Sequence, residues 1–194
     1  RAEARALASR PFIYAMTDIV CLLESDSPYL VGNEAKESLL VIFTSDRGLC
    51  GSFNETIIRQ AESLIEEKSK NGKVKLILVG TKAVIHFGRK EHEIVSMYTH
   101  LPTDPTASLS NLVMNDCKKL FLGKKVGEAI LIYHNFKSKI KHDVKVKKML
   151  PLPRSIKCET KGIQPIFIFE PEKSRVVDMA IEMFLESTVF HSFL

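Results

Sequence analysis

A glycine-rich turn between an apolar run and an amphipathic stretch is where many α/β proteins hold a phosphate, and residues 44–54, TSDRGLCGSFN, have that setting. Two chemistries would suit it. A GxxxxGK[ST] loop wraps the phosphates in backbone amides and neutralises them with a lysine. Here the glycines are Gly48 and Gly51, and no lysine follows. A dinucleotide turn needs GxGxxG and an acidic residue at the end of the second strand for the ribose hydroxyls. This chain offers only GxxG, and its second apolar run ends in Gly80, Thr81 and Lys82. The turn therefore reads as a backbone device. Gly48 and Gly51 let the chain bend sharply, Asp46 accepts hydrogen bonds from turn amides or from Arg47, and Ser52 or Asn54 caps the helix that follows. Cys50, beside that helix start, reads either as a thiol of lowered pKa or, more commonly for the type, as a small buried one.

Other catalytic patterns are missing. Cys21, Cys50, Cys117 and Cys158 form no CxxC pair, which speaks against a zinc knuckle or redox dithiol and for a reducing compartment. EHEIVSMYTH lacks the second histidine of HExxH, so His92 and His100 stay unassigned, and His86, His134, His142 and His191 are solitary. No serine sits in a GxSxG elbow and no carboxylate pair stands out as acid and base. The residues point to no catalysis, no cofactor and no metal.

The elements around the turn explain its setting. The 194 residues suffice for one well-buried α/β domain with peripheral structure. SLLVIFTS (38–45), VKLILVG (74–80), EIVSMY (93–98), GEAILIYHNF (127–136) and PIFIF (165–169) read as strands. Helices are expected over 53–72, 81–89 and from about Ser108 to Leu122. The alternation predicts a doubly wound, mostly parallel, Rossmann-like sheet over residues 36–170. KSKIKHDVKVKK (137–148), with six lysines and one aspartate, suits an antiparallel edge strand with a cationic outer face. Lys137, Lys139, Lys141, Lys145 and Lys147 could meet an acidic partner or anionic lipid heads. Nucleic acid fits poorly, because stacking aromatics are scarce there.

Both ends carry a four-three apolar rhythm. Ala6, Ser9, Ile13, Met16, Val20 and Leu23 form a heptad seam within residues 1–26, interrupted by Pro11. Ala180, Met183, Ser187 and Phe190 repeat it within residues 171–194, while Val177, Ile181, Phe184 and Leu185 make a second apolar face. Such a helix needs two neighbours: the sheet and the amino-terminal helix. No apolar run reaches the roughly 18 to 20 residues of a membrane span, so the chain is not expected to cross a bilayer by itself. It begins at Arg1 and reads as a piece of a longer protein.

SDRGLCGSFN, residues 45–54, closely resembles the signature of the gamma subunit family of F-type ATP synthase. RALASRPF resembles that family's amino-terminal helix, MLPLP (149–153) its turn after the edge strand, and FEPEKSRVVDMAIEMFLESTVF its entry into the carboxy-terminal helix. The resemblance picks out Ser45, Asp46, Arg47, Gly48, Leu49, Cys50 and Gly51 as the signature turn. It implies an α/β domain flanked by truncated arms of an antiparallel coiled coil, acting as a rotor shaft without catalytic residues. The implied partners are the alpha and beta subunits of the catalytic head, the epsilon subunit and the c-subunit ring. The implied location is a membrane-associated complex at the cytoplasmic face of the bacterial plasma membrane, with the mitochondrial inner membrane as the alternative. A small nucleotide-binding α/β enzyme is the competing reading.

Overall fold

The computed structural model describes residues 27–47, 52–102, 106–136, 142–152 and 173–193. A single helical turn, α1 (Pro28–Val31), precedes β1 (Ser38–Phe43). Then come α2 (Phe53–Ser69), β2 (Val74–Val79), α3 (Thr81–Phe87), β3 (Glu93–Tyr98), α4 (Ala107–Leu122), β4 (Glu128–Phe136), β5 (His142–Leu150) and α5 (Lys173–Ser192). The sheet order is β3-β2-β1-β4-β5, parallel throughout except for β5, which runs antiparallel to β4. This is the expected doubly wound sheet with an antiparallel edge. The seam residues from Ala6 to Leu23, the stretch PIFIF, and Lys137, Lys139 and Lys141 lie outside the described residues.

The sheet has helices on both faces, which is why β1 is apolar at nearly every position and buried at all six. Leu40, Ile42, Leu76, Leu78 and Ile130 pack under α2 and α3. Leu39, Val41, Phe43, Ile77, Val79 and Leu131 pack with α4 and α5. Helix α4 begins one residue before the expected Ser108, because Thr106 is its cap and accepts the Leu109 amide at 3.3 Å.

The two sheet edges are protected differently. Strand β3 carries no lysine, but its pairing jumps from Leu76↔Ile94 to Ile77↔Ser96, leaving Val95 as an extra residue. Such a bulge bends an edge away from further pairing. Strand β5 relies on lysines, though not as a wholly solvated row. Lys145 and Lys147 stand opposite Tyr133 and Leu131 and so project on the α5 face, while Val144 packs into the other core. Lys145 is exposed, but Lys147 lays its Nζ over the Phe184 ring, 5.5 Å from the centroid.

Candidate functional site at the strand ends

In a doubly wound sheet the ligand crevice opens beyond the carboxyl ends of the strands where the order reverses, here between β1 and β4. This chain puts its own side chains there. Ile132 pairs with Ile42, so His134 stands at the level of Thr44, one strand across. Its ring stacks on Phe53, with centroids 3.8 Å apart and planes at 20°. His134 Nε2 lies 2.7 Å from the Phe53 carbonyl and 3.3 Å from Thr56 Oγ1. The first turn of α2, where a phosphate would approach, is thus met by an aromatic–imidazole stack.

The β1–β2 side is filled more completely. Thr44 Oγ1 accepts the Ala83 amide at 2.9 Å and donates to the Val79 carbonyl at 3.1 Å. The Ser45 carbonyl accepts the Lys82 amide at 3.4 Å. Asp46 Oδ1 accepts the Thr81 amide at 2.8 Å and the Thr81 hydroxyl at 2.7 Å, while Oδ2 accepts the Leu101 amide. The amides of Thr81, Lys82 and Ala83, which an anion at the start of α3 would need, are therefore occupied by oxygens of residues 44–46. Partial burial pushes the Asp46 carboxyl up, but hydrogen bonds from the Thr81 hydroxyl and the Leu101, Thr81 and His100 amides outweigh it and hold the group below the usual carboxylate range. His100 adopts the left-handed conformation, φ 56°, where its connection turns toward that carboxylate.

The expectations for the turn divide here. Asp46 does take turn amides, and among the described residues they come from two neighbouring connections. Ser52 makes no side-chain capping bond to α2. The buried Asn54 does not cap either: its Oδ1 accepts the Ser45 amide at 3.0 Å, tying the helix back to the strand end. Ser45 Oγ donates to the Arg47 carbonyl at 2.9 Å and Arg47 is exposed. Gly48, Leu49, Cys50 and Gly51 lie outside the described residues. Thr44, Thr81, Leu101, Phe53 and His134 carry no pattern that a reading of the sequence would single out.

The terminal helix α5 docks on the opposite core. Val177, Ile181, Phe184, Leu185 and Val189 are buried against the sheet. Asp178 accepts the Ser27 hydroxyl at 2.7 Å, and Glu182 accepts the Tyr29 hydroxyl at 2.8 Å and the Lys118 ammonium at 2.7 Å. At the far end, Phe193 meets Phe43 edge-on, with centroids 5.0 Å apart. Ala180, Met183, Ser187 and Phe190 lie roughly 100° to 180° around the helix from Ile181, on the side away from Glu182. They are half-buried apart from Met183, which is 49% exposed. Among the described residues no group of three or more His, Cys, Asp or Glu could hold a metal ion, and no helix is long and apolar enough to cross a membrane.

Residues 1–194 match the family model described as ATP synthase. The curated relatives include the ATP synthase gamma chain of Clostridium botulinum (strain Loch Maree / Type A3), 34% identical over 178 residues, which span 92% of this chain and 61% of the relative. The gamma chain of Clostridium acetobutylicum is 28% identical over 193 residues, covering 96% of this chain and 66% of the relative. The chain thus spans roughly three fifths of the length of such relatives, 61% in the first case. Among solved structures, a chain of the central stalk and c-ring of Tetrahymena thermophila mitochondrial ATP synthase superposes with a TM-score of 0.65 at 22% identity, covering 98% of this chain and 90% of that one. That likeness shows a shared fold.

Proposed function

The chain belongs to the ATP synthase gamma family, and from that premise we propose that it is a non-catalytic central-stalk rotor subunit of an F-type ATP synthase. Proton flow through the membrane ring would turn the stalk, and the stalk would drive ATP synthesis on the catalytic subunits. The observation that carries the non-catalytic part is the occupied strand-end site: Asp46, Thr44 and Ser45 take the α3 amides and Phe53 stacks on His134. A sheet that keeps its switch point but fills it from within serves as a scaffold rather than a nucleotide pocket.

The partners follow from the same reading. They are the alpha and beta subunits of the head, the epsilon subunit and the c-subunit ring, in a membrane-associated complex at the cytoplasmic face of the bacterial plasma membrane. The stripe of Ala180, Met183, Ser187 and Phe190 would receive the seam of Ala6, Ser9, Ile13, Met16, Val20 and Leu23 in an antiparallel coiled coil. Ser27, which directly follows residues 1–26 in the sequence, donates to Asp178 of α5, and that supports the pairing. Of the lysines of the edge segment, exposed Lys145 is better placed to meet a partner than Lys147, which is engaged with Phe184.

Titration calorimetry of the chain with ATP, ADP and NAD separates this reading from a small nucleotide-binding enzyme. No saturable heat is expected with any of the three. Micromolar binding of a nucleotide would overturn the non-catalytic assignment.

A further inference from the structure

The strand-end bonds also have a mechanical side. Asp46 follows β1, Thr81 follows β2 and Leu101 follows β3, so one carboxylate joins the connections leaving three adjacent strands. Those bonds span 35 and 55 residues of sequence. The contact can be made only by an acceptor. Among the described residues, every group aimed at the two oxygens is an N–H or O–H donor, so a carboxylate satisfies all of them, whereas an amide would point its own NH₂ at one set. Beside the joined corner lies Phe193, at the end of the described α5 segment. Phe43, three residues before Asp46, meets Phe193, and Leu101 and Phe193 pack against the same core cluster.

We propose that Asp46 is a positioning residue: by locking the three strand-end connections to one another, it fixes the direction in which the carboxy-terminal helix leaves the domain. Ser27, Tyr29 and Lys118 anchor the earlier turns of α5, so its direction at residue 193 depends on the footing it finds there. That footing is Phe43 of β1, the strand whose end Asp46 ties to the connections after β2 and β3. The consequence for torque transfer rests on the rotor reading above, but the positioning itself does not.

The test uses spin labels at Ser187→Cys on α5 and Ile85→Cys on α3, with Cys21, Cys50 and Cys158 replaced by serine and the buried Cys117 retained. Pulsed-EPR distance distributions are recorded well below the melting temperature. With Asp46 the distribution is expected to be narrow. With Asp46→Asn it should broaden at least twofold or split, and with Asp46→Glu it should narrow again in part. Thr81→Val, which removes the hydroxyl donor and keeps the amide, should broaden it in the same direction by less, and it supplies the answer if Asp46→Asn fails to fold. Equal widths in the parent and in whichever of Asp46→Asn and Thr81→Val folds would overturn the proposal. In the complete protein assembled with its alpha, beta and epsilon subunits and the membrane sector with its c-subunit ring in sealed vesicles, Asp46→Asn should leave assembly intact while proton pumping per ATP hydrolysed falls severalfold. Unchanged pumping would overturn the link to torque. Failure of the parent chain to assemble would count against the rotor reading and leave the distance result standing.

Discussion

Gly80→Ala is expected to destabilise the chain by about 3–5 kcal/mol, among the largest effects available from one added methyl group. Gly80 has φ +94°, and a Cβ there would lie 2.0 Å from the Thr44 carbonyl oxygen and 2.7 Å from Thr44 Oγ1. Two penalties combine. The left-handed backbone disfavours any L side chain by roughly 1–2 kcal/mol. The overlap with a backbone oxygen cannot be relieved by a rotamer change, because the Thr44 amide is bonded to Val79 at 2.8 Å and the Gly80 amide to Tyr98 at 2.7 Å. Relief would require parting β1 from β2 beside Asp46. Gly32→Ala separates the two penalties: Gly32 has φ +83°, but among the described residues its Cβ would meet only the Pro151 side chain, at 3.3 Å. Urea unfolding should give about 1–2 kcal/mol for Gly32→Ala and clearly more for Gly80→Ala. Equal losses would show that the close approach of Gly80 to Thr44 is unimportant.

Phe184→Ala should be comparably severe, about 3–5 kcal/mol, because it empties the centre of the interface between α5 and the sheet. Phe184 is 3% exposed within the core cluster, and its outer ring face is covered by the Lys147 ammonium. The substitution leaves a cavity and also strips that cation of its aromatic partner, so repacking cannot recover the whole loss. Met179→Ala on the same helix is the comparison, since Met179 is 59% exposed and should change stability by no more than about 0.5 kcal/mol. A Phe184→Ala effect as small as that of Met179→Ala would mean that α5 is not docked on the sheet as described.

Legibility in the sequence followed the range of the interactions. Strands β1 and β2 were readable because burial on both faces makes them apolar at nearly every position, and α2 because Ile57, Ala61, Leu64 and Ile65 recur at helical spacing. The turn α1 was hidden inside a polar stretch, although Pro28 at its start and Gly32 at its stop are the local signals that mark it. Asn54 misleads as a cap because the Ser45 amide claims its side chain, and that competition is settled only when the strand end and the helix meet. The Asp46 clamp could not be read at all. Its donors come from residues 81 and 101, brought to residue 46 only by the sheet order. Strand parity explains Lys147 in the same way: alternation predicted which residues share a face of β5, but not that α5 covers that face.

The rotor function is tested most directly by watching rotation. The complete protein would be assembled with the alpha and beta subunits of the same source, the head fixed to a surface and an optical probe attached to the α/β domain. On addition of ATP the probe is expected to turn steadily in one direction. A complex that hydrolyses ATP while the probe stays still, or a chain that does not join the head, would contradict the assignment.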